Sequence, residues 1–261
     1  MKSKITRIIN LIFCSHLLAP NLTFAEDSHV DPHWLYEEQE NWGLLTDQLY
    51  NPPFPYAECN IGQKQSPVNI EEKYVIKVEK IDELQPKYIE ETLSLTNNGH
   101  TIRANTAKSK LYFGNNEYDL VQYHFHAPSE HLVNGVAYPM EIHFVNGTAD
   151  GRMAVVGVMV KEGAFNLAFQ EILDLAPNQV GQTANSSSLI HPEQLLPAHT
   201  QHFYTYTGSL TTPPCNEGVQ WFILQEPLEV SEKQIKAFNS KFYHNNARSE
   251  QKLNGRMLDA H

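Results

Sequence analysis

Three histidines offer the clearest chemistry in this chain. His124 and His126 stand in the run Tyr123-His124-Phe125-His126, and His143 ends the run Met140-Glu141-Ile142-His143. Neutral imidazole is a good nitrogen ligand for zinc. A strand alternates its faces, so His124 and His126 point one way while Phe125 points the other. A neighbouring strand through Glu141 and Val145 brings His143 to that same face. Three histidines with one open position make a catalytic zinc arrangement rather than a closed structural one. Gln122 and Glu141 each lie two residues from a histidine and share its face. Either can accept a hydrogen bond from the ring nitrogen that does not ligate. Glu130 and His131 are close in sequence, and spacing alone leaves open a different triad built from them.

The elements that must position these groups read mostly as strands. Thr92 to Thr96, His100 to Ala104, Ala107 to Phe113, Tyr118 to Phe125, Met140 to Val145, Phe203 to Thr207 and Val219 to Leu224 fit strand patterns. Met153 to Val160 is almost continuously apolar, as expected of a strand covered on both faces. Asn97-Asn98-Gly99, Asn146-Gly147 and Asp150-Gly151 read as turns. Helical signal is limited to Asn166–Asp174 and Ser231–Asn239, the latter with Ser231 as N-cap. Residues 26–66 carry little regular pattern, and Asn51-Pro52-Pro53-Phe54-Pro55 forbids regular structure locally. The fold class is mainly β, or α+β with peripheral helices.

The chain has 261 residues, 41% of them apolar, which suits one large domain. Its net charge of −11 argues against nucleic acid or an anionic lipid surface as partner. Residues 1–25 read as a signal peptide. Lys2, Lys4 and Arg7 precede a broken apolar run from Ile8 to Leu18, and Thr23-Phe24-Ala25 ends in a small residue. That run is too short to span a bilayer, and the mature chain offers no other candidate. Residues 26–261 are then expected to form a single catalytic domain in an exported, most simply periplasmic, protein. Of the three cysteines, Cys14 falls in the signal, leaving Cys59 and Cys215 as an even pair in an oxidising compartment.

Several separated motifs occur in one order: Gln65-Ser66-Pro67-Val68-Asn69-Ile70, Asn98-Gly99-His100, Tyr123-His124-Phe125-His126, Ser129-Glu130-His131, Glu141-Ile142-His143, Gly208-Ser209-Leu210-Thr211-Thr212-Pro213-Pro214 and Trp221. Together they resemble the alpha class of carbonic anhydrases, in particular its bacterial periplasmic members, from about residue 33 to Asn254-Gly255-Arg256. The resemblance implies a large, mostly antiparallel, twisted central sheet of about ten strands. It implies reversible zinc-dependent hydration of carbon dioxide to bicarbonate and a proton, by a monomer or homodimer.

Residue by residue, the resemblance implies that His124, His126 and His143 hold Zn(2+). Thr211 matches the threonine that orients the zinc-bound hydroxide, and Glu130 matches the carboxylate that accepts that threonine's proton. Gln122 and Glu141 match acceptors for His124 and His143, and His131 matches a buried supporting histidine. Thr212 matches a residue that orients substrate and solvent. Val145, Val155, Leu210 and Val219 match the apolar wall beside carbon dioxide, a molecule with no charge and no net dipole. His100 matches the proton shuttle; an ordinary imidazole pKa of about 6.5 suits that exchange near neutrality. Cys59 and Cys215 match a disulfide of exported members. Two departures stand out: Ala127-Pro128 follows the second ligand where many members have tryptophan, and Arg103 falls at a cavity-rim position that is often uncharged in animal members.

Overall fold

Apolar alternation in the long strands sorts the side chains onto two faces of one sheet. The computed structural model describes residues 31–242 and 245–261. The expected signal segment and Cys14 lie outside the described residues. Residues Pro32–His261 form one compact unit.

Among the described residues, twelve strands make the main sheet. Ten lie along one path: Thr183–Asn185, Ser94–Asn97, Ile102–Asn105, Asn116–His126, Met140–Gly147, Met153–Glu162, Glu217–Val230, Phe203–Ser209, Asp259–Ala260 and Ile76–Lys77. Lys110–Phe113 also pairs with Asn116–His126, and Leu84–Lys87 pairs with Lys110–Phe113. Neighbours run antiparallel except Met153–Glu162 beside Glu217–Val230 and Asp259–Ala260 beside Ile76–Lys77, which are parallel. A small second sheet joins Asn69–Ile70, Leu132–Val133 and Val136–Ala137. No helix among the described residues is long and apolar enough to cross a membrane.

One face of the sheet builds the larger core. Tyr123, Phe125, Ile142, Phe144, Val156 and Val158 contribute to it from successive strands. The helix Leu167–Leu175 adds Phe169 and Ile172, and the helix Glu232–Lys241 adds Ile235 and Phe238. Asn166 caps the first helix by accepting from Phe169 N–H at 2.8 Å. At the second, Gln234 Oε1 accepts from the Ser231 hydroxyl at 2.9 Å. On the opposite face Val145, Val155, Met159, Val219, Trp221 and Ile223 form a second cluster. The continuous apolar run from Met153 is therefore explained: alternate residues feed two cores.

Two expectations needed revision. Of the stretch expected to carry little regular pattern, residues 31–66 are described and are less irregular than predicted: Tyr36–Leu44 forms a 3-10 run broken at Glu38, and Glu58–Ile61 a single α turn. Burial of Tyr36 and Trp42 holds the first, and Trp42 Nε1 donates to the Leu35 carbonyl at 2.8 Å. The strand predicted over Val219–Leu224 extends to Glu217–Val230. It passes Pro227 at a register irregularity, with Val158 opposite Leu224 and Val160 opposite Leu228.

Gly157 has a reason to lack a side chain. A Cβ there would lie 2.6 Å from Ile223 Cδ1 and 3.0 Å from Glu141 Oε1. The bare backbone lets a buried carboxylate lie across the sheet, next to His143, whose register partner Gly157 is.

Candidate metal centre

Register brings the three histidines together. His143 pairs with His124, and Glu141 with His126, across the Met140–Gly147 and Asn116–His126 strands. One potential ligand nitrogen from each of His124, His126 and His143 falls within 4.8 Å of the other two. His126 and His143 are buried, and His124 is partly so.

Hydrogen bonding fixes which nitrogen each ring presents. His124 Nδ1 meets Gln122 Oε1 at 2.9 Å, His126 Nδ1 meets the Asn246 carbonyl at 2.7 Å, and His143 Nε2 meets Glu141 Oε1 at 2.8 Å. All three partners can only accept, so those ring nitrogens carry the protons. Lone pairs are left on Nε2 of His124, Nε2 of His126 and Nδ1 of His143. Burial, with the neighbouring His126 and His143, holds the His124 pKa well below its ordinary value. Burial holds His126 at about 4 against the raising effect of the Asn246 carbonyl, and also lowers His143. The rings are therefore neutral at pH 7, as a metal requires. His126 Nε2 is buried without a hydrogen-bond partner. Three converging lone pairs with no proton among them fit a zinc ion.

The carboxylates behind the ligands are heavily engaged. Glu141 Oε2 accepts from the backbone N–H groups of Glu130 and His131, each at 2.9 Å. Its Oε1 accepts from His143 and from His131 Nδ1, both at 2.8 Å. Burial alone would raise this carboxyl; His131, His143 and their hydrogen bonds outweigh it and hold the pKa well below the usual range. The network continues from His131 Nε2 to Tyr206 Oη at 2.7 Å and on to Ser66 Oγ at 2.8 Å. A second triad of His131, Glu141 and His143 has metal-like spacing. Both ring nitrogens of His131 are taken by hydrogen bonds, so it works as structural support.

Glu130 sits beneath the ligands, its Oε2 3.4 Å from His126 Nε2 and 3.8 Å from His143 Nδ1. Its Oε1 accepts from Arg248 N–H at 2.8 Å. Burial pushes its pKa up to about 7, opposed by His143, by that N–H and by a hydrogen bond from the Thr211 side chain. A bound dication would add a further lowering influence. Thr211 is buried, and Thr212 lines a cavity of about 170 Å³ together with His100, Arg103, Gln122, His124 and His126.

His100 stacks on Trp34 at 3.7 Å between ring centroids and 9° between planes, with the His33 ring 6.0 Å away. It is half-buried; burial first, then His33, lowers its pKa below 6.5. Val145, Val155 and Val219 are buried in the second apolar cluster, with Leu210 packed against it. They are absent from the lining of the 170 Å³ cavity, which is made by the residues on its His100 side. Cys59 and Cys215 are joined by a disulfide of 2.05 Å.

Sequence reasoning missed three supports. Asn246 and Arg248 come from a C-terminal stretch without regular structure, and no spacing signal marks them. Asn246 holds His126 through its carbonyl, and its side chain bonds Ala127 N–H, the His100 carbonyl and the Phe125 carbonyl. Arg248 ties Gln65 and the Ser66 and Cys59 carbonyls together. Trp34 is an aromatic anchor in the N-terminal arm, with nothing in its spacing to connect it to His100.

A buried three-histidine centre on a twisted, mainly antiparallel sheet defines a class of metalloenzyme scaffold. Residues 39–260 match the family model described as eukaryotic-type carbonic anhydrase. A carbonic anhydrase of Klebsiella pneumoniae is 38% identical over 232 residues, covering 87% of this chain and 90% of the relative. The alpha-carbonic anhydrase of Thermovibrio ammonificans, solved with the inhibitor sulfanilamide, superposes with a TM-score of 0.82 at 36% identity, covering 88% of this chain and all of that one. That of Photobacterium profundum gives 0.78 at 37% identity, covering 87% of this chain and all of that one. The chain belongs to the alpha-class carbonic anhydrase family.

Two expected outcomes follow from the supports. Glu141→Gln removes the charge that four donors share, and zinc affinity measured by chelator competition should fall about 10–100-fold. Cys59→Ser should lower stability by about 2–5 kcal/mol in denaturant unfolding, and hydration activity should drop with it, because Cys215 directly follows the Thr211–Pro214 loop.

Proposed function

We propose that this chain catalyses the zinc-dependent reversible hydration of carbon dioxide to bicarbonate and a proton. The observation that carries the reading is the set of three neutral imidazoles whose free lone pairs converge. When bound there, zinc supplies the Lewis acidity that lets water act as a nucleophile near neutral pH.

The remaining chemistry belongs to the chain's own residues. Gln122, the Asn246 carbonyl and Glu141 hold the three rings in one tautomer and orientation each. Thr211 lies close enough to Glu130 for its hydroxyl to donate a hydrogen bond there, which would leave its oxygen able to accept from solvent in the cavity. Such an acceptor would orient the solvent that a bound metal holds. Val145, Val155, Leu210 and Val219 offer apolar surface suited to an uncharged substrate. Thr212 adds a hydroxyl at the cavity wall. His100, half-buried in the same cavity and near the exposed His33, takes up the product proton and passes it to buffer.

Residues 26–261 are read as one catalytic domain delivered outside the cytoplasm. The basic and apolar N-terminus and the Cys59–Cys215 disulfide both support export to an oxidising compartment such as a periplasm.

Stopped-flow hydration should be strong in the zinc-loaded protein and abolished by chelation or by His124→Ala; equal rates in all three samples would reject the metal assignment. His100→Ala should lower kcat about 10-fold or more in weak buffer while leaving kcat/KM nearly unchanged. Added imidazole buffer should restore kcat, which a merely structural role would not allow.

A further inference from the structure

One cation in the cavity lacks a protein acceptor among the described residues. Arg103 lies on the Ile102–Asn105 strand, in register opposite His124. Its side chain lines the same cavity as His100, Gln122, His124 and Thr212. Its Nε is buried and makes no hydrogen bond. Two other partly or fully buried guanidinium groups are treated differently. Arg248 donates to Gln65 Oε1 and to the Ser66 and Cys59 carbonyls, and Arg256 to the Leu253, Thr207, Gln65 and Lys252 carbonyls. The fold thus satisfies those guanidinium groups with carbonyl and amide oxygens, and leaves the Nε of Arg103, on the cavity wall, without a protein acceptor.

The charge around the cavity points the same way. The chain carries 30 acidic residues against 19 Lys and Arg, yet no Asp or Glu lines this cavity. Glu130 and Glu141 lie behind the histidines with their oxygens turned to Arg248 N–H, Thr211, His131 and His143. A guanidinium is permanently charged and presents planar paired donors, which match the oxygens of carboxylates and phosphates. A volume of about 170 Å³ admits an ion of that size.

We propose that Arg103 forms an oxyanion subsite on the wall of the cavity, taking small anions of the carboxylate or phosphate type. The subsite uses none of the metal-ligating nitrogens, so it stands apart from the reading of the metal centre.

Isothermal titration calorimetry of the zinc-loaded protein at neutral pH and low salt tests this. Inorganic phosphate is the first probe and acetate the second, and the tighter of the two identifies the preferred class. Wild type should bind, and Arg103→Gln should bind at least about tenfold more weakly, with zinc content and circular dichroism unchanged. Arg103→Lys, which keeps the charge and loses the fork, should fall between them. Absence of binding to wild type, or equal affinity in wild type and Arg103→Gln, overturns the proposal. If Arg103→Gln does not fold, unchanged affinity in Arg103→Lys overturns it instead. A zinc-depleted series separates the sites: a loss caused by Arg103→Gln that persists without metal supports the subsite. Binding that vanishes with the metal and ignores Arg103 assigns the anion to the metal and refutes it. Hydration assays on the same samples report separately on the catalytic reading.

Discussion

A slip of one residue between the Asn116–His126 and Met140–Gly147 strands would send His143 to the face that carries Phe144 and Ile142. Side chains alternate with a period of two, so register decides whether three imidazoles meet. Here His143 stands opposite His124. The larger core on the far face, filled by Tyr123, Phe125, Ile142 and Phe144, locks that register, because any slip would expose those rings and bury polar groups in their place. The metal centre is thus positioned by hydrophobic packing on the other side of the sheet.

Three ligands in place still need the right nitrogen facing inward. Each ring is set by an acceptor from a different source: an amide side chain, a backbone carbonyl of the C-terminal segment, and a carboxylate. The carboxylate is the most demanding. Glu141 is fully buried and takes four hydrogen bonds, two from backbone N–H groups and two from histidines. Desolvation would make a lone carboxylate there prohibitive; the converging donors make it stable and ionised. Gly157 gives it room. The chain His131, Tyr206 and Ser66 then ties this carboxylate to the strand that leads into the Thr211 loop. Cys215, at the far side of that loop, is bonded to Cys59. Metal ligands and the loop that faces them are held by one connected set of interactions.

The mouth of the site follows a different logic. His100 rests against Trp34 and is half-buried, and Arg103 lines the cavity with its buried Nε unpartnered. Glu141 and His131 behind the ligands have both their polar atoms hydrogen-bonded, whereas groups on the open side keep capacity for solvent, protons and anions. That contrast is what a site exchanging small charged species with water requires.

The ligand histidines were legible because strand alternation is a local rule: His-x-His and Glu-x-His each place both members on one face whatever surrounds them. The long strands and both helices were legible for the same reason, since apolar period and capping residues act over a few positions. Spacing could not choose between His143 and His131 as third ligand, and the tertiary structure assigns both ring nitrogens of His131 to Glu141 and Tyr206. Nor could it reveal Asn246, Arg248 or the Trp34 stack, whose partners lie about a hundred residues or more away or in irregular segments, beyond the reach of any local pattern. The sequence by itself determined which residue types were available and which face of its own strand each would occupy. Only the tertiary structure decided which strands are neighbours, in what register, and which distant acceptor fixes each ring, because those choices depend on packing the whole sheet at once.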